Sequence, residues 1–274
     1  MLLGCCGFVV TMGALDDRYS LSVASRLVAE ILIAVIIIHT IDLRLIWLGD
    51  LIGTGQIKMG PTMSYIFTVI AIFGLLNAFN MLDGVDGLLA SITILNTIFF
   101  HLITGVDFTL VSLYILSCIG AFLISNIGVT PMVPKTFLGD SGSKLIGFIA
   151  VCFLLTAASG RVGDEKLINP ITALFLVAVP LFDMVVVTLR RLANASSPFK
   201  GDNSHIHHLL IALNFKPRNV VLIIVSVSLA GTSLGLVLHQ LNMPEYRQTQ
   251  IYLLLFISYC LVSNTIWRRV KAIG

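Results

Sequence analysis

Charge is what this chain has least of. Only 11 % of its 274 residues are Asp, Glu, Lys or Arg, against about 25 % in a typical soluble domain. With 57 % apolar residues and a mean hydropathy of +0.98, it lacks the polar surface that a water-soluble globule needs. It also lacks any sustained strand-like alternation, which argues against a membrane β-barrel. No basic n-region and no cleavage site open the chain, so its first apolar run does not read as a signal peptide. The five cysteines (Cys5, Cys6, Cys118, Cys152 and Cys260) have neither metal-ligand nor disulfide-framework spacing; all sit in apolar runs, where free Cys behaves as a small hydrophobe. No internal repeat, no long polar stretch and no basic run pointing to nucleic acid is present.

What remains is a series of apolar segments, near 2–15, 23–41, 64–82, 87–104, 109–127, 143–159, 170–189, 219–238 and 249–267. Lipid offers no hydrogen bonds, so backbone groups in such runs must be satisfied within the segment, as in a helix. The expectation is an all-α, polytopic transmembrane helix bundle of about nine spans, with residues 1–274 as a single membrane domain and 190–218 as a cytoplasmic loop. The first segment is short for a span of about 17–25 residues, as if its beginning lay outside this chain. Twelve of the 17 lysines and arginines follow odd-numbered segments or lie at the C-terminus, Lys135, Lys144, Arg190 and Arg191 among them; Arg44, Lys58, Arg161, Lys166 and Arg247 fall opposite. The basic side is expected to be cytoplasmic, with the N-terminus out and the C-terminus in.

The unusual polar clusters all fall on that side. Asp16 and Asp17 follow the first segment. Asn77-Ala-Phe-Asn80-Met-Leu-Asp83-Gly-Val-Asp86-Gly87 joins the third to the fourth. Phe137-Leu-Gly-Asp140-Ser-Gly-Ser143 precedes the sixth, and Ser197-Pro-Phe-Lys-Gly-Asp202-Asn-Ser-His205-Ile-His207-His208 follows the seventh. If the turn after Leu82 is helical, Asp83 and Asp86 share a face. The carboxylates of Asp16, Asp17, Asp83, Asp86, Asp140 and Asp202 would repel one another unless a cation joins them or they lie far apart. Few protein carboxylates suit Mg²⁺ or Mn²⁺, whose shell is completed by water and substrate phosphate. Asp140 also reads as an N-cap for the segment after it. The histidines lack a nearby Cys for a zinc site and suit phosphate binding or proton donation. Within segments, Glu30 could pair with Arg26, four residues earlier. Asp183 follows Pro180, where a kink could turn it toward the same side. Arg190 and Arg191 read as positive-inside anchors or as partners of an anionic head group.

Taken together, the Asp16-Asp17-Arg18, Asn77–Gly87, Phe137–Gly142 and His205–His208 stretches resemble the four motifs of the polyprenyl-phosphate N-acetylhexosamine-1-phosphate transferases. Pro180-Leu-Phe-Asp183 and Ser197-Pro-Phe199 look like the bacterial N-acetylglucosamine branch. The similarity runs from Met1 to about Phe215. Relative to that family, two spans and a basic cytoplasmic motif are missing at the start, and Asn203 stands where an Arg is usual. The resemblance implies transfer of N-acetylglucosamine-1-phosphate from UDP-N-acetylglucosamine to undecaprenyl phosphate, with release of UMP, in the bacterial inner membrane at its cytoplasmic face, at the start of O-antigen or related envelope polysaccharides. It implies Mg²⁺ or Mn²⁺ at Asp140 and Asp17 and catalytic roles for Asp16, Asp17, Asp83 and Asp86. It further implies substrate binding by Asn80, Phe137, His205, His207, His208 and Arg191, with Phe137 against uracil. A homodimer is compatible with it. Two rival expectations are an ion-coupled secondary transporter using Glu30 and Asp183 and an inactive truncated homologue.

Overall fold

The computed structural model describes residues 2–41, 43–129, 132–159, 167–198 and 203–273. Every apolar segment found in the sequence is helical. The helices are α1 (Leu2–Tyr19), α2 (Val23–Ile41), α3 (Pro61–Leu82), α4 (Leu88–Thr104), α5 (Leu110–Asn126), α6 (Gly139–Ser159), α7 (Pro170–Leu176), α8 (Ala178–Ala193), α9 (Ile206–Ala212), α10 (Pro217–Gln240) and α11 (Glu245–Ile273). Helices α3, α7 and α10 begin on Pro61, Pro170 and Pro217, a position where the missing N–H costs nothing.

Among the described residues, α2, α3, α6, α10 and α11 are long and apolar enough to cross a membrane, and α7 with α8 makes a sixth crossing if counted as one bent span. Helices α4 and α5 have 17 residues each, a rise of about 25 Å against a hydrocarbon core of about 30 Å. The segment at 170–189, where a kink was expected near Pro180, is broken more sharply: α7 and α8 meet at 85°. The break falls at Val177, which has φ −117° and ψ 21°. Pro180 lies three residues on; continued through it, a helix would lose a hydrogen bond and drive the ring into the carbonyl of Leu176.

Two short strands, β1 (Trp47–Gly49) and β2 (Ile57–Lys58), pair antiparallel in the connection from α2 to α3. Their backbone surroundings are satisfied by neighbours: Ser64 Oγ donates to Leu45 O at 2.8 Å, and Leu45 N donates to Thr68 Oγ1 at 3.0 Å. At the other side of the hairpin, Asp50 N donates to Glu245 Oε2 at 2.6 Å, which ties it to the start of α11. One large apolar cluster runs from Cys5 and Val9 through Phe79, Phe148 and Leu176 to Ile224; a smaller one gathers Phe175, Phe182 and Tyr252. The stretch 190–218 is not loop throughout. Helix α8 continues to Ala193, α9 carries His207 and His208, and α10 starts at Pro217.

Candidate active site

The end of α3 builds the centre of the site. The helix stops at Leu82 and the chain turns through Asp83-Gly-Val-Asp-Gly87, with Asp83 N donating to Asn80 O and Gly84 N to Leu82 O. Asp83 and Asp86 are therefore brought together by a turn and not by a helical face. Asn126, the last residue of α5, clamps this turn: its Oδ1 accepts from Gly87 N at 2.6 Å, and its Nδ2 donates to Thr136 O at 2.8 Å and reaches Asp86 Oδ1 at 3.5 Å. Lys135 pairs with Asp86 and lies 5.6 Å from the centre of the Phe137 ring. That ring is 73 % exposed.

Helices α1 and α6 touch almost backbone to backbone. A Cβ on Gly13 would lie 2.3 Å from Ser141 Cα, so only glycine allows this approach. It brings the Asp17 carboxylate over the start of α6, where Oδ1 accepts from Asp140 N at 2.9 Å and Oδ2 from Ser141 N at 3.3 Å and Ser141 Oγ at 2.9 Å. The cap of α6 thus comes from another helix, and it satisfies N–H groups that a helix start leaves open. Asp140 stands in the first turn and its Oδ1 accepts from Asn80 Nδ2 at 3.3 Å. Asn80 also donates to Ser143 Oγ at 3.2 Å.

Asp16 is buried and compensated. Lys144 Nζ is 3.3 Å from its Oδ2, Arg26 Nε is 3.5 Å from the same atom, and Leu21 N donates to Oδ1. Lys144 also reaches Glu30 Oε1 at 3.4 Å, and Asn77 Nδ2 donates to Glu30 Oε2 at 2.7 Å. Glu30 thus takes its cation from α6, four helices along the chain, while Arg26 serves Asp16. Lys144 carries no motif signature; its position one turn after Asp140 on the same helix was the only signal available. Asp83 differs from its neighbours: among the described residues its carboxylate has no hydrogen-bond or ion-pair partner. Crowding by protein raises its pKa to about 6, and the charges of Asp140 and Asp86 push the same way.

The histidines reach this cluster from the far side. His207 is 1 % exposed, and among the described residues neither of its ring nitrogens has a hydrogen-bond partner. A Cβ on Gly84 would lie 2.0 Å from its Nε2, so the ring rests on the Asp83–Asp86 turn where glycine leaves room. Burial, and then His208, lower the His207 pKa to about 4. The rings of His207 and His208 are 4.1 Å apart. His205 faces elsewhere: Nδ1 is 2.8 Å from Asp183 Oδ2 and Nε2 is 3.5 Å from Arg191 Nη2. Arg191 also donates to Pro198 O at 2.7 Å, and Arg190 to Ser204 O at 2.8 Å. Asp183 is 2 % exposed and faces His205, the backbone of Ile206 and the Tyr259 hydroxyl. Lys200 and Asp202 lie outside the described residues.

Four distant stretches of sequence thus meet at one end of the bundle: Asp17 touches the Asp140 turn, Asn80 touches Asp140, and His207 touches Gly84. Among the described residues no group of three or more His, Cys, Asp or Glu side chains converges as a ready-made metal cage. Sequence reasoning missed Asn126, Lys144 and Tyr259, because none belongs to a recognisable local pattern.

The glycosyl transferase family 4 model matches residues 1–158. An undecaprenyl-phosphate alpha-N-acetylglucosaminyl 1-phosphate transferase of Yersinia pestis is 33 % identical over 278 residues, covering 100 % of this chain and 75 % of that protein. The proteins of the same name from Salmonella typhi, 34 % identical with 100 % and 75 % covered, and Haemophilus influenzae, 32 % identical with 95 % and 74 % covered, are similar to the same extent. With more than half of the residues matched to that model, and relatives of 32–34 % identity covering 95–100 % of its length, the chain belongs to glycosyl transferase family 4.

Proposed function

We propose that this protein transfers N-acetylglucosamine-1-phosphate from UDP-N-acetylglucosamine to undecaprenyl phosphate. A phosphate oxygen of the acceptor attacks the β-phosphorus of the donor. The bond from that phosphorus to the bridging oxygen breaks, UMP leaves with the oxygen, and the lipid pyrophosphoryl sugar remains. The observation that carries the reading is the pairing of an unpartnered carboxylate, Asp83, with Asp140 at the meeting point of all four motifs. Relatives of the same printed activity over nearly the whole chain support it.

The residues present fit a divalent cation. Asp83 and Asp140 have no direct ion pair among the described residues, and one or two carboxylates suffice for Mg²⁺ when water and substrate phosphate complete the shell. Asp83 and Asp140 would hold it, and when bound it would offset charge on the donor pyrophosphate and the leaving UMP. Asp17, first in line from the sequence as metal ligand or base, spends both oxygens on the cap of α6, and its role is to hold Asp140 in place. Asp16 is already neutralised by Lys144 and Arg26, so its role is also positional. Acceptor phosphate has a second pKa of about 6 and needs little base strength. His207 and His208 are positioned to hold phosphate, and Phe137 presents an open ring to the uracil.

Nine crossings with the N-terminus out, the C-terminus in and the site at the cytoplasmic face of the inner membrane complete the reading, because the excess of Lys and Arg lies at the same end as the acids. The broken α7–α8 pair is what a transporter would also use. Against that stands the state of its two intramembrane acids: Glu30 is tied to Lys144 and Asn77, and Asp183 to His205 and Tyr259.

The test is release of UMP by purified protein given undecaprenyl phosphate, labelled UDP-N-acetylglucosamine and Mg²⁺. Release that stops with a chelator and in Asp140→Asn supports the assignment. No release from folded wild-type protein overturns it, and preference for a muramic-acid donor would move the reading to another branch.

A further inference from the structure

The histidine segment is held by a clasp whose far end lies on the C-terminal helix. Asp183 sits on α8, 2 % exposed. Its Oδ1 accepts from the Tyr259 hydroxyl at 2.9 Å and from Ile206 N at 3.0 Å, and its Oδ2 faces His205 Nδ1 at 2.8 Å. One carboxylate therefore binds α8, α9 and α11 together. It also takes the N–H that opens α9, since Ile206 is the first residue of that helix. The next residue brings this to the site: His207 lies on the same short helix, one residue beyond Ile206, and rests on Gly84.

The chemistry of the partners sets the His205 tautomer. A guanidinium only donates, so the nitrogen facing Arg191, Nε2, presents its lone pair. Nδ1 then carries the hydrogen and donates it to Asp183. Both ring nitrogens are committed, one to α8 carboxylate and one to α8 guanidinium, which leaves His205 unsuited to hold phosphate. A second tie runs parallel: Arg190 donates to Ser204 O, just before His205, and to Ser263 Oγ on α11 at 2.9 Å, with Trp267 of α11 5.1 Å below its guanidinium.

We propose that Tyr259 and Asp183 are positioning residues for the reaction: they lock His205 as the Nδ1–H tautomer and so seat α9, with His207, over the Asp83–Asp86 turn. His205 is then a structural key and not a ligand. The catalytic half of this inference rests on the transferase reading; the tautomer half does not.

Two measurements test it. In wild-type protein labelled with ¹⁵N at histidine, the signal that disappears in His205→Gln should report protonation at Nδ1, and Asp183→Asn, whose amide can donate as well as accept, should shift it to a mixture of tautomers. Tyr259→Phe keeps its ring in the apolar wall, so it should still fold, with a thermal midpoint lowered by the lost hydrogen bond to Asp183. It should lose about ten-fold in kcat with KM for the nucleotide sugar unchanged, whereas Ser258→Ala, one residue away and bonded only to its own helix, should match wild type. Protonation of His205 at Nε2 overturns the clasp, as does a Tyr259→Phe protein with wild-type kcat. Because the tautomer is read without substrate, Nδ1 protonation in a protein that releases no UMP would count against the transferase and leave the clasp standing.

Discussion

The contact between the histidine segment and the aspartate turn makes Gly84→Ala a decisive substitution. The added Cβ would lie 2.0 Å from His207 Nε2, 2.6 Å from Cδ2 and 2.8 Å from Cε1. Ordinary contact begins at 3.4 Å, so ring or turn must yield by about 1.4 Å. The ring is 1 % exposed, with the His208 ring tilted against it at 4.1 Å, so little space is left for it to retreat into. Relief of this overlap should cost about 1–3 kcal/mol of stability. A displacement above 1 Å between α9 and the Asp83 carboxylate should cost about 100-fold in kcat. The assay pairs UMP release with thermal unfolding in detergent, and Gly74→Ala, whose Cβ would meet Met184 Cε at a comfortable 3.7 Å, is the control. Combining Gly84→Ala with His207→Ala removes the obstacle, so the midpoint should recover while activity does not. A Gly84→Ala enzyme with wild-type rate and midpoint would mean that the two motifs do not touch.

Three further outcomes follow from the same geometry. Because burial lowers the His207 pKa to about 4 from 6.5, the unfolded chain binds the proton first on acidification; stability contributed by neutral His207 is complete above pH 6.5 and drains between 6.5 and 4, by about 2 kcal/mol at pH 5. Asp83, raised to about 6, acts in the opposite sense, so the measurement is the loss of thermal midpoint from pH 7 to 5 in wild type against His207→Gln, and equal losses would refute it. Lys144→Met leaves Glu30 buried without its cation and should destabilise by about 3–5 kcal/mol, with most of that restored by adding Glu30→Gln; a single variant as stable as the double would disprove the pairing. Asp17→Ala removes the cap of α6 and should cost about 0.5–2 kcal/mol together with most activity, whereas Asp17→Asn, which can still accept from Asp140 N, should keep the stability; unfolding midpoints of the two separate these outcomes.

The helices were legible because the bilayer leaves an apolar run few alternatives, and the runs ending at Leu82 and Asn126 stop where Gly84 and Gly128 follow. The meeting of Asp17, Asp83, Asp140 and the histidines at one end was legible too, since alternating direction puts every second connection on the same side. Local sequence could not reveal what decides each acid's state. Lys144 reads as one more basic residue at a helix start, yet the packing of α1, α2 and α6 gives it to Asp16 and Glu30 at once. The 85° break at Val177 was hidden within an unbroken apolar run; Pro180 was its one mark, and it was read instead as a kink for Asp183. Tyr259 had no mark at all, because its partner lies 76 residues earlier in the chain.

The charge argument changes once those partners are known. From sequence, six acids on one face called either for a common cation or for distance between them. In the fold, Asp16 has two basic partners, Asp86 has Lys135, and Asp17 is spent on backbone N–H groups. Among the described residues the unmet charge shrinks to Asp83 and Asp140, with Asp202 lying outside them; Asn80, on the helix capped at Asp83, donates to Asp140. On the proposed reading, two carboxylates would suit a single divalent ion whose shell water and substrate phosphate complete. Among the described residues the fold therefore does more than gather acids: it gives Asp16, Asp17 and Asp86 partners of their own and leaves Asp83 and Asp140 without an ion pair.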